Sequence, residues 1–260
     1  MFETIGLTTD TRGVATLTLN RADKHNALNA LMIREITRAA GLLDSDTNVR
    51  VVVLTGAGKS FCAGGDLGWM REQMAADDAG RAAQARALAH MLKALNELSK
   101  PLIGKVQGQA FGGGIGMMSV CDVAIGADSA RFGLTETRLG LIPATIGPYV
   151  VARMGEARAR RVFMSARLFG ADEAVDLGLL ARAVPVEELE AAVEAEVAPY
   201  LACAPGAVVE AKALIRRLGG AISDSVIEET VAALVTRWQS DEAAEGIAAF
   251  FEKRRPGWAE

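Results

Sequence analysis

The segment Gln109-Ala110-Phe111-Gly112-Gly113-Gly114-Ile115-Gly116 constrains this chain more than any other. The run from Pro101 to Val106 before it reads as a strand, and Ile115-Gly116-Met117-Met118 is apolar and compatible with a helix. Consecutive glycines at a strand-to-helix turn reach backbone angles closed to other residues and put no side chain in a ligand's way. The first helical turn then presents N–H groups with no intrahelical acceptor, at the positive end of the helix dipole. A second turn of this kind occurs where Val51-Val52-Val53-Leu54-Thr55-Gly56 runs on to Phe61-Cys62-Ala63-Gly64-Gly65-Asp66-Leu67. One glycine run behind a strand is most often only a tight turn. Two of them can aim two N–H donors at a single oxygen, the arrangement of an oxyanion hole. Neither run carries the spacing of a phosphate-binding loop or a dinucleotide fingerprint.

The pattern around these turns is that of an α/β chain. Gly13 to Asn20 alternates, with Ala15, Leu17 and Leu19 on one face and Val14, Thr16 and Thr18 on the other, so it predicts a half-buried strand. Leu28, Leu31, Met32, Ile36, Ala39 and Leu43 recur at helical spacing, as do Leu88, Met91, Leu92, Leu95 and Leu98. Val51 to Leu54 is a continuous apolar run, the mark of a strand covered on both faces. A further strand is expected at Val123-Ala124-Ile125. Alternating strands and helices imply a mostly parallel sheet with right-handed crossovers. From about Glu187 strand signals cease, and the alanine-rich stretch from Ala204 to Phe251 reads as helical.

Half of the 260 residues are hydrophobic, enough for a sizeable core. The net charge of −4 argues against a partner such as nucleic acid, held by electrostatics. Cys62, Cys121 and Cys203 are widely spaced with no CxxC, which points to a reducing compartment and no structural metal. No signal-like N-terminus and no long uncharged apolar span occur, so no membrane partner is expected and the cytoplasm is the expected location.

Several segments share an order and spacing: Asn20-Arg21-Ala22-Asp23-Lys24-His25-Asn26-Ala27-Leu28-Asn29, Thr55 to Leu67, Lys100-Pro101, Gly108 to Gly114 with Cys121-Asp122, Phe132-Gly133-Leu134-Thr135-Glu136, Leu139-Gly140-Leu141-Ile142-Pro143, Ala171 to Leu179 and Phe251-Glu252-Lys253-Arg254. On these segments the chain resembles the crotonase superfamily, the enoyl-CoA hydratase/isomerase fold, over nearly its whole length. Asp66 to Met70 and Leu141 to Thr145 are most similar to bacterial hydratases of the 3-methylglutaconyl-CoA type, enzymes of branched acyl-CoA breakdown. The resemblance implies a spiral of ββα units over residues 1–200, catalytic and CoA-binding. A helical region over 201–260 would serve trimerisation and CoA contact, giving a homotrimer or homohexamer. No cofactor is implied, coenzyme A being part of the substrate.

The resemblance also implies roles for residues. The backbone N–H groups of Ala63 and Gly113 would hold the thioester oxygen, and Glu136 would move protons. CoA would lie along Ala27-Leu28 and the Gly64, Gly65, Asp66, Leu67 loop, with phosphates met by Lys24 and by Lys253, the latter from a neighbouring subunit. Trp69 and Met70, just after the first glycine turn, read as lining the acyl pocket, and Phe111 and Gly112 as further substrate contacts. Read from its own chemistry, Asp66 is instead a loop-fixing residue that accepts backbone N–H bonds. The apolar neighbourhood of Glu136 (Phe132, Leu134, Leu139, Leu141, Ile142) predicts a raised carboxyl pKa.

One departure stands out. Family hydratases usually carry a further glutamate on the helix after the glycine turn, and that position here is Gly116. Four readings stay open: a hydratase working with Glu136 alone, a hydratase whose second polar group comes from elsewhere, including a distal carboxylate of a glutaconyl-type substrate, a Δ3,Δ2-enoyl-CoA isomerase, and a catalytically weak acyl-CoA-binding homologue.

Overall fold

The computed structural model describes residues 2–259. In chain order, β1 (Ile5–Thr9) and β2 (Val14–Leu19) form a hairpin, followed by α1 (Ala30–Ser45), β3 (Val51–Gly56) and β4 (Ser60–Cys62). Next come α2 (Leu67–Ala75), α3 (Asp78–Glu97), β5 (Leu102–Val106), β6 (Gln109–Phe111), α4 (Gly113–Ser119) and β7 (Val123–Ala127). Then β8 (Arg131–Gly133) leads through a 3₁₀ turn at Glu136–Leu139 into α5 (Gly147–Met154), α6 (Glu156–Ala159), β9 (Leu168–Gly170), α7 (Ala171–Asp176) and β10 (Arg182–Val184). The chain ends in α8 (Leu189–Leu201), α9 (Pro205–Gly219), α10 (Asp224–Trp238) and α11 (Asp241–Glu252).

Two sheets organise these elements. One has the order β1-β2-β3-β5-β7-β10, parallel except for the β1–β2 hairpin. Its strands are covered on both faces, which is why β3 is apolar at successive positions rather than alternate ones. Ala15, Leu17, Leu19, Val52 and Leu54 face the main core under α1, α3 and α4. Val51, Val53, Ile103 and Ile125 face α8 through Leu189, Val193 and Val197. The second sheet, β4-β6-β8-β9, is built from strands of only three residues. Both glycine turns issue from its adjacent parallel strands β4 and β6, so pairing of those strands is what brings the turns together.

Helix ends are fixed by local chemistry. The Asn29 side chain accepts from the Met32 amide to start α1, a cap worth about 1 kcal/mol. Asp66 does the same for α2, accepting from Gly68 and Trp69. At the C-terminal end, α10 packs on α3 through Ile227 and Val231 against Ala85 and Ala89. Helix α11 packs by Ala243 and Ile247 on Leu141, beside the turn that carries Glu136.

Candidate active site

A pocket of about 380 Å³ opens between the two glycine turns, α2, the Glu136 turn and the C-terminal helices. The turns touch each other: a methyl group placed on Gly64 would lie 3.1 Å from the Phe111 carbonyl oxygen. Gly64 and Gly112 both have positive φ, +91° and +47°, so these two positions need glycine for backbone angle as well as for space.

The direction of each amide follows from pairing. Leu28 donates to the Gly64 carbonyl at 2.7 Å and accepts from the Asp66 amide at 2.8 Å. Gly65 lies between those two groups in a parallel bridge, so its own N–H points to the opposite side, toward the pocket. Gly113 opens α4, where the first amides have no intrahelical acceptor. Among the described residues, neither the Gly65 nor the Gly113 amide has a hydrogen-bond acceptor, and both residues line the pocket. The Ala63 amide does not match its expected part. It donates to the His25 carbonyl at 3.0 Å, so it is already engaged in holding the 21–28 loop against β4.

Glu136 sits opposite these amides. A methyl on Gly112 would come within 3.0 Å of its Oε1. Its Oε2 is the one buried side-chain oxygen or nitrogen among the described residues with no hydrogen-bond partner. Burial pushes this carboxyl up to about 7, because desolvation penalises the charged form. The surrounding wall is apolar, with Leu28, Trp69, Leu88, Leu139, Leu141 and Ile142 all lining the pocket. A carboxyl that changes charge near neutrality, facing two free amides, is equipped to move a proton next to an oxygen that gains negative charge.

The match to known proteins covers the same ground. The family model described as enoyl-CoA hydratase/isomerase matches residues 9–260. The chain belongs to the enoyl-CoA hydratase/isomerase family. The protein named probable enoyl-CoA hydratase echA8 of Mycobacterium tuberculosis is 34% identical over 257 residues, 98% of this chain and 97% of that one. A crystal structure of an enoyl-CoA hydratase from Mycobacterium avium superposes with a TM-score of 0.89 at 31% identity, covering 99% and 100% of the two chains. Pseudomonas aeruginosa AtuE superposes at 0.80 with 35% identity, again covering 99% and 100%.

The position expected to carry a second glutamate is Gly116. A methyl placed on Gly116 would lie 2.6 Å from Ile146 Cγ2 and 3.5 Å from Leu92 Cδ1. The space a side chain would enter is therefore occupied by Ile146, itself 2% exposed. Among the described residues, no second carboxylate lines the pocket.

The other expected binding residues divide. Leu28, Gly64, Gly65, Leu67, Trp69, Phe111 and Gly112 line the pocket. Lys24, Ala27, Asp66 and Lys253 do not. The Ala27 carbonyl accepts from Arg21 at 2.6 Å. Asp66 has both carboxylate oxygens engaged, one by the Gly68 and Trp69 amides and the other by Arg21 at 2.9 Å, as its loop-fixing chemistry predicts. Lys24 and Lys253 are exposed. Sequence reasoning missed Gln73, Thr145, Leu234, Trp238 and Phe250, which also line the pocket. The last three come from α10 and the end of α11, brought over the site by chain reversal that no local pattern signals.

Proposed function

We propose that this protein is an enoyl-CoA hydratase that adds water across the double bond of a 2-enoyl-CoA, using Glu136 as its single acid–base group. The observation that carries this reading is the Glu136 carboxyl, unpartnered at Oε2 and facing the free amides of the two glycine turns. Gly65 and Gly113 hold the thioester oxygen, with Gly65 taking the part expected of Ala63. Ionised Glu136 accepts a proton from water as the water oxygen bonds to C3. Negative charge moves onto the thioester oxygen, where two fixed donors stabilise it. Each such donor is worth about 3–4 kcal/mol in comparable sites. Glu136 then returns the proton to C2, completing the addition of one water.

For the acyl chain we favour a branched one with a distal carboxylate, of the 3-methylglutaconyl-CoA type. Gln73 supports it: the residue is 6% exposed, lines the apolar pocket and has a side-chain amide with no hydrogen-bond partner among the described residues. Beside it Arg81, also lining the pocket, donates from Nε to the Gln73 carbonyl at 3.0 Å. Coenzyme A phosphates at Lys24 and Lys253 and a cytoplasmic location complete the reading. So does assembly as a trimer or hexamer, supported by exposed Leu214, Ile215 and Leu218 on α9.

A second reading, Δ3,Δ2-enoyl-CoA isomerase, is favoured by Ile146 over Gly116, since one base moving a proton between two carbons needs no second carboxylate. The test is mass spectrometry of 3-methylglutaconyl-CoA, crotonyl-CoA and a 3-enoyl-CoA after incubation with the protein in heavy water. Gain of one water on a 2-enoyl thioester supports the hydratase. Double-bond migration without water addition replaces it by the isomerase, and no change in any thioester leaves an acyl-CoA-binding protein.

A further inference from the structure

The pocket is lined by a polar side chain that the mechanism above does not use. Thr145 is 5% exposed and lines the pocket, and its hydroxyl makes no hydrogen bond to any described residue. Glu136 Oε2 is the one sealed, unpartnered side-chain atom among the described residues, so the Thr145 hydroxyl stays reachable and is free to pair with a ligand atom or a water in the pocket. The other buried hydroxyl nearby is not available in this way, because Ser119 Oγ donates to the Ile115 carbonyl at 2.9 Å.

Position narrows what that atom is. The residue after Thr145, Ile146, packs on Gly116. The Gly116 amide donates to the Gly112 carbonyl at 3.1 Å, one helical turn or about 5.4 Å along α4. Gly112 in turn touches Glu136. Thr145 thus precedes the residue that closes the Gly116 position, and it lines the same pocket as Gly112 and Glu136.

We propose that the Thr145 hydroxyl holds the attacking water together with Glu136, replacing the polar group that Gly116 lacks. The inference rests on the hydratase reading. One water hydrogen goes to the Glu136 carboxylate while the other is hydrogen-bonded to Thr145 Oγ1. The water oxygen bonds to C3 as the C2–C3 π pair shifts toward the thioester oxygen, and Glu136 later gives its proton to C2. Thr145 gains and loses no proton; it is a positioning residue that fixes the face and angle of attack.

The test compares wild type, Thr145→Val and Thr145→Ser on 3-methylglutaconyl-CoA and crotonyl-CoA, with butyryl-CoA as a binding probe that cannot be hydrated. Thr145→Val keeps shape and removes the hydroxyl. The expected result is a fall in kcat for hydration on the order of 10²-fold, with KM and butyryl-CoA affinity within about twofold. Thr145→Ser should restore most of the rate. If Thr145→Val does not fold, Thr145→Ala gives the same comparison. Full hydration by Thr145→Val overturns the assignment. So does a rate loss matched by lost butyryl-CoA affinity, or one that serine does not rescue, because the side chain then acts by shape. A wild-type protein that adds no water to either thioester removes the hydratase reading and this assignment with it.

Discussion

Replacing Glu136 by glutamine should make the protein more stable at high pH and leave it nearly unchanged at low pH. The carboxyl is raised from its ordinary 4.5 to about 7 by burial, so between those values the folded state binds a proton that the unfolded chain has released. Stability therefore falls as pH rises through that window. The shift is 7 − 4.5, about 2.5 pK units, and at 1.36 kcal/mol each this amounts to about 3 kcal/mol once the pH exceeds 7. Glutamine keeps the shape and cannot ionise. Any cost of its amide in the pocket is the same at every pH, so the pH dependence of the difference isolates the carboxyl. Urea unfolding of both proteins at pH 5 and pH 8 should show the difference shifting in favour of Glu136→Gln by about 2–3 kcal/mol. A difference that stays constant across that range would refute the reasoning, because Glu136 would then have the same pKa folded and unfolded.

The same substitution should lower hydration by roughly 10²–10⁴-fold, and wild-type kcat/KM should climb with pH and level off above about 7, as measured across a buffer series. Gly116→Glu alone should destabilise the fold by about 1–3 kcal/mol through overpacking, since its Cβ meets Ile146 at 2.6 Å. Adding Ile146→Ala should recover part of that loss in thermal melts and raise hydration above the single variant. Gly140 has φ +72°, and a methyl there runs into the Glu242 carbonyl of α11. Gly140→Ala should therefore lower stability by about 1–3 kcal/mol and, by loosening α11 from the Glu136 turn, raise KM more than it lowers kcat.

What was legible in the sequence was what a local pattern can encode. The runs at Val51 to Leu54 and Leu102 to Val106 and the stripe from Leu31 to Leu43 appear as β3, β5 and α1, because burial on two faces or one leaves a period. Leu28, expected in the same stripe, precedes the helix and pairs with Gly65 instead. The second sheet left no such trace, since three residues per strand are too few to show one. Both glycine turns could be found from composition alone. Which amide in the first turn is free could not, because it depends on Leu28 pairing with Gly65 and on His25 engaging Ala63.

The Gly116 position shows the limit most clearly and also carries the main consequence. Loss of a side chain in a packed interior leaves either a cavity or a compensating group, and a cavity costs stability. Here compensation comes from Ile146, thirty positions on in the chain, so the position is closed rather than merely empty. Filling it with a hydrocarbon removes a polar neighbour from the pocket and deepens the apolar surroundings in which Glu136 sits. Those surroundings raise the Glu136 carboxyl to about 7, a value at which one group serves nearly as well as base and as acid at neutral pH. A second carboxylate close by would push the pair's titrations apart and would hold the water itself. The packing of Ile146 on Gly116 and the raised Glu136 are thus two sides of one arrangement, and the unpartnered Thr145 hydroxyl is the group left to hold the water.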